Sequence, residues 1–200
     1  SSAASDVYKR QINTLCSMLA QVIGEDGHIT IPHFYDDVEE VPAAEREMIA
    51  QIPFDEKKYM EAIGVKALKG EKGYSTLERN SCRPSFDICG IWGGYTGEGS
   101  KTVLPSKAYA KVSCRLVPHQ NHAVISQLFV DYIQSIAPEY VQVKVTPMHG
   151  GEGYVCPITL PAYQAAEKGF AKAFGKKPLA VRRGGSIPII SDFEQILGIK

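Results

Sequence analysis

The sequence predicts an α+β fold, a ferredoxin-like antiparallel sheet with helices on one face, followed by a partial α/β segment. Three observations carry this. Periodicities run in the order helix, two strands, helix, strand; an acidic, proline-punctuated stretch interrupts them; and the character of the chain changes after Gly150. The order is a split β-α-β pattern that lacks its first strand.

Residues 12–23, INTLCSMLAQVI, place Ile12, Leu15, Leu19, Val22 and Ile23 at helical spacing, and Gly24 in GEDGH stops the helix. The next stretch is acidic and broken by Pro32, Pro42 and Pro53, so it reads as an insertion over about 29–64 with short helices at 43–51 and 55–63. Two strands follow, SFDICGIWGG and residues 101–117. In the second, Ala108, Ala110, Val112, Cys114 and Leu116 alternate with Tyr109, Lys111, Ser113 and Arg115. Gly93 to Gly99 make a flexible link between them. NHAVISQLFVDYIQSIA sets Val124, Leu128, Ile133 and Ile136 broadly on one helical face and ends before Pro138, after which YVQVKVTPM alternates as a strand. Beyond Gly150, LPAYQAAEKGFAKAFG reads as a helix stopped by Gly175, PLAVRRGG as a short strand, and SIPIISDFEQILG as the start of another helix. The expected boundary lies near residue 157; residues 158–200 are too few for an independent core.

Composition narrows the function classes. Of 200 residues 44% are hydrophobic, and Lys plus Arg equal Asp plus Glu at 22 each, the make-up of a soluble globular protein. Zero formal charge with no basic block argues against nucleic acid as a partner. No apolar stretch reaches the roughly 18 residues of a spanning helix, and residues 1–20 lack the pattern of a signal peptide. Cys16, Cys82, Cys89, Cys114 and Cys156 are odd in number and form no CxxC pair, which reads as reduced thiols in the cytoplasm. Cys89 and Cys114 sit inside strand-like runs, where a small buried hydrophobe is expected rather than a nucleophile, and they are assigned no chemistry.

RRGGSIPI is the first functional candidate. Two glycines and Ser186 at a helix mouth offer backbone N–H groups and a hydroxyl to a carboxylate or amide oxygen. A Gly-Gly turn with Ser186 as the N-cap explains the same residues, and both can hold together. Metal candidates are weaker. Asp36-Asp37 and Glu39-Glu40 read as a solvated acidic loop. His119 and His122 have i, i+3 spacing but sit at a strand-to-helix turn with no nearby carboxylate, while His28 and His33 flank a short strand in the insertion and His149 lies in a turn. No metal ligand is assigned.

Three segments in one order, ITIPHFYDDVEEVPAAERE, PSFDICGIWGGYTGEGSKTVLPSKAYAKVSCRLVPHQ and RRGGSIPI, resemble the M20 metallopeptidases, in particular the carnosinase-like dipeptidase branch. The resemblance covers residues 12–200 and implies a lid, or dimerisation, domain over 12–157 and part of a catalytic domain over 158–200. Such enzymes bind two divalent metal ions, zinc or manganese, and hydrolyse dipeptides or N-acyl amino acids as homodimers. By position, Arg115 matches an arginine that binds the substrate carboxylate, Thr102 a threonine that touches substrate, and Gly185 or Ser186 a substrate-contacting serine or threonine. A guanidinium fork suits a carboxylate through two charge-assisted hydrogen bonds. Residues alone favour Arg115 as a solvent-facing strand residue and Thr102 as a plain β-former, and the resemblance reverses that reading. Arg115 and Thr102 are thirteen positions apart, so either the chain turns back or one serves the neighbouring subunit; the resemblance implies the latter.

The departures are specific. A two-metal peptidase needs a His-x-Asp, a bridging Asp, a Glu-Glu pair with a general base and a late His. None of these motifs is present. Residues 1–11, SSAASDVYKRQ, stand where relatives carry a histidine-bearing loop and read as a foreign leader, and Arg183 stands where relatives often carry an acidic residue. The expectation is a lid plus a strip of catalytic domain, inactive by itself. The alternative is a stand-alone dimerisation or small-ligand-binding module.

Overall fold

The computed structural model describes residues 10–182, 187 and 189–199. These group into two compact units: Ser1–Asp36, Ser85–Arg115 and Ala123–His149 in the first, and Asp37–Pro84, Leu116–His122 and Gly150–Lys200 in the second. Helices and a two-stranded antiparallel sheet make an α+β fold, as the periodicities predict.

In the first unit, α1 (Gln11–Ala20) ends earlier than the expected residue 23. Its apolar residues do not stop there. Val22 accepts a backbone hydrogen bond from Thr30 at 2.9 Å and Ile23 bridges Ile29, so the chain reverses through Gly24 and Gly27. The reversal folds Val22, Ile29, Ile31 and Phe34 inward, and all four are buried, as are Met18 and Leu19 of α1. Core closure has overridden helical propensity at these positions.

Strand β1 (Ser85–Gly93) pairs with β2 (Ala108–Arg115) from Ser85 opposite Arg115 to Gly93 opposite Ala108. Between Ile88 and Gly90 the register shifts, leaving Cys89 as the extra residue of a bulge. The alternation in β2 matches expectation: Ala108, Ala110, Val112 and Cys114 are half-buried, whereas Tyr109, Lys111 and Arg115 are exposed. Helix α1 packs against β2. Helix α5 (His122–Ser135) sets Phe129 against Phe86 of β1, ring centroids 5.8 Å apart. Tyr132 reaches back from α5 to hydrogen-bond Gln21 O at 3.2 Å.

Two strand expectations need correction. Residues 101–107 are loop, because Pro105 cannot donate to a ladder and the chain reaches strand geometry only at Ala108. Residues 141–147 keep the alternation, with Val141, Val143 and Val145 half-buried and Gln142, Lys144 and Thr146 exposed, yet they join no ladder among the described residues. A strand pattern supplies a face; pairing needs a neighbouring edge.

In the second unit, α2 (Ala43–Ala50) and α3 (Glu56–Ile63) fall where expected, and three further helices follow among the described residues. Asp55 caps α3 by accepting from Lys58 N, and Gly64 ends it in the left-handed region. Short helix α4 (Thr76–Arg79), absent from the sequence reading, is set by a capping box between Ser75 and Glu78. Val41, Ile49 and Cys82 form a small core with Ile52 and Leu77. Helix α6 (Pro161–Phe174) starts on Pro161 and stops at Gly175 as predicted, and α7 (Ile189–Leu197) follows. The described part of the expected PLAVRRGG strand, residues 178–182, joins no strand, and residues 183–185 lie outside the described residues.

Candidate functional site

The hairpin fixes where its two candidate residues stand. Arg115 closes β2 opposite Ser85, at the open end of the hairpin, and is exposed. Thr102 is exposed in the loop joining the other two strand ends. Between Ala108 and Arg115 the strand advances seven residues, about 24 Å at ~3.4 Å per residue. One chain therefore holds the two residues at opposite ends of its hairpin and does not bring them together. Gly185 and Ser186 lie outside the described residues.

The connecting loop has its own geometry. Tyr95 donates its hydroxyl to the Glu98 carbonyl at 2.7 Å, and Lys101 Nζ stands 4.6 Å from the centre of the Tyr95 ring. Gly97 lets the loop close, since a Cβ there would sit 2.6 Å from Tyr95 Oη. Gly94 and Gly99 take φ of 71° and 81°. Beneath the loop lies a cavity of about 360 Å³, with Ile12, Leu104 and Pro105 as its apolar lining and Asn13, Ser100 and Lys101 as polar lining. Arg10 also lines it. Sequence reading passed over Tyr95 and Lys101; the cation and ring six residues apart across Gly97 and Gly99 were the available sign.

On the exposed strand face, Trp92 and Tyr109 stack at 5.2 Å and 10°. This follows from the register, which sets them directly opposite. Burial pushes the Cys114 thiol up from 9.0 to about 11, with Asp87 adding to the shift. A thiol so raised is protonated at neutral pH and a poor nucleophile.

Histidine surroundings correct the sequence reading in one respect. His119 does have a carboxylate nearby, Glu39 at 3.3 Å, because the fold returns the acidic loop to it. His33 likewise pairs with Asp36 at 2.8 Å. Neither pair gathers a third ligand: among the described residues no three His, Cys, Asp or Glu side chains come together to hold a metal. These residues do not fit a metal centre, and no chemical step is derived through one. Among the described residues no helix is long and apolar enough to cross a membrane.

Residues 14–141 match the family model for the M20 peptidase dimerisation domain, more than half of the chain, so the chain belongs to that family. Beta-Ala-His dipeptidase of Rattus norvegicus is 26% identical over 91% of this chain and 38% of its own length. Cys-Gly metallodipeptidase dug1 of Schizosaccharomyces pombe is 27% identical over 92% and 39%. Among solved structures, the M20 family metallo-carboxypeptidase Sso-CP2 from Sulfolobus solfataricus aligns with a TM-score of 0.86 at 25% identity, covering 99% of this chain and 45% of that one. Human carnosine dipeptidase 1 gives 0.76 at 28% identity, over 93% and 40%. The chain thus spans about two-fifths of the length of the curated relatives.

Proposed function

We propose that the chain belongs to a metal-dependent hydrolase of dipeptides or N-acyl amino acids, and that it supplies dimerisation and recognition of the substrate carboxylate. Arg115 grips the carboxylate with its planar fork of donors. Thr102 reaches the same substrate from the neighbouring subunit of a homodimer, and Gly185 and Ser186 offer further contacts from the catalytic-domain strip. Zinc or manganese ions belong to the whole enzyme, which is cytoplasmic, and their ligands come from outside the described residues. The isolated chain is inactive.

The observation that carries this reading is the hairpin register: with Arg115 and the Thr102 loop at opposite ends, a shared substrate requires two subunits. Complementation tests it. In the whole enzyme, R115A and T102A homodimers each carry a defect in both sites, and R115A raises KM about 100-fold. Mixed dimers contain one site with both residues intact, so mixing restores activity; failure of mixed dimers to recover overturns the two-subunit site. Metal-dependent dipeptidase turnover by the 200-residue chain alone would sink the division of labour.

A further inference from the structure

We infer that Glu45, acting through the side chain of Arg182, is a positioning residue for the contacts made by Gly185 and Ser186; the inference rests on the substrate-contact reading of those two residues given above. The observation behind it is a two-bond pair. Arg182 donates from Nε and Nη2 to the two carboxylate oxygens of Glu45, with Nη2 to Oε2 at 2.8 Å. Such a fork fixes both the distance and the plane of the guanidinium, which a single bond does not. Glu45 is itself held: it stands in the first turn of α2, and Ile49 of the same helix is buried with Val41 and Cys82.

Arg182 stands five positions before Ile187, and the four residues between them include Gly185 and Ser186. The far end is held as well. At the start of α7 the Ile187 carbonyl accepts from Ile190 N at 3.3 Å, and Gln195 of α7 donates to Glu152, which also accepts from Asn121 Nδ2 at 2.8 Å. Apolar packing contributes little here, since α6 buries none of its residues and α7 only Ser191. Polar bonds therefore carry the placing of this strip, and the Glu45 pair is the one next to the Gly-Gly-Ser run. A short run between two held ends has fewer conformations to lose when a substrate binds. Removing Glu45 frees one end and weakens binding through donors that it never touches.

Steady-state kinetics of the whole enzyme tests this, with the fastest-cleaved of a panel of unblocked dipeptides as substrate. S186A or G185A is expected to raise KM about tenfold. E45A should raise it to a similar extent with kcat within about twofold, whereas a merely structural pair would lower the amount of active enzyme, and with it kcat, at unchanged KM. Combining E45A with whichever of S186A and G185A raises KM should leave KM within about threefold of either single variant, because both remove the same contact. R182E should match E45A, and the swapped pair E45R/R182E should return KM to within about threefold of the parent. If E45A perturbs the fold, E45Q takes its place. No cleavage of any dipeptide, or unchanged KM in both S186A and G185A, overturns the contact reading and this inference with it. Unchanged KM in E45A, fully multiplied effects in the double variant, or no recovery in the swapped pair overturns the positioning role alone.

Discussion

Residues 37–84 carry three short helices, and residues 158–199 carry two longer ones, yet the two regions differ in what they bury. In the first, Arg83 and Glu71 form a two-bond pair at 2.7 Å with side chains only 5% and 10% exposed. Tyr74 lies between Arg83 at 4.3 Å and Arg46 at 4.9 Å, and Arg46 pairs with Glu78 at 2.9 Å. Apolar Val41, Ile49 and Cys82 close beside this network. In the second region α6 buries none of its residues and α7 only Ser191, while Phe174 and Ile196 are 73% and 78% exposed. Helices form from local caps and periodicity; a core needs a complementary surface, and only the first region contains its own.

Breaking the buried pair should have the largest effect. E71A leaves the Arg83 charge buried beside a missing partner and should destabilise the second unit by about 3–5 kcal/mol, read from urea denaturation, whereas E71L with R83M should recover most of that. An unchanged midpoint for E71A would mean that the apolar cluster alone holds the region. Next, I49A should cost about 2–4 kcal/mol, because Ile49 is among the few residues that close this small core.

Arg182 joins the two regions through paired bonds to Glu45, one of them Nη2 to Oε2 at 2.8 Å. Partial exposure of both groups limits R182A to about 1 kcal/mol. The smallest expected change is from F174S and I196S, within about 0.5 kcal/mol by the same measurement but with higher solubility. Trimming the chain near residue 157 extends the contrast: improved solubility with folding retained fits a catalytic-domain strip that needs more chain, and loss of folding fits a self-contained module.

Much of this was legible beforehand. The period-two pattern of β2, the stop at Gly175, and the short helices after Pro42 and Pro53 depend on neighbours within a few residues, and all appear at or near their expected places. Less legible were α4, whose four residues are too few for periodicity to reveal, and the turn after Ala20, where Val22 and Ile23 fit a helix equally well. His119 could not be matched to Glu39 from sequence, since the fold brings to 3.3 Å two residues that stand 80 positions apart.

The sequence by itself determined most of the helices, the two strands of the hairpin and the face of β2 that is covered, and, through three motifs in a fixed order, the family. Each depends on residue type at short range or on pattern along the chain. Only the tertiary structure decided the bulge at Cys89, the Lys101–Tyr95 cavity, the buried Arg83–Glu71 pair, and the placing of Arg115 and Thr102 at opposite ends of one hairpin. Those are long-range matters of register and packing, in which a one-residue shift in pairing changes the face and neighbour of every side chain that follows.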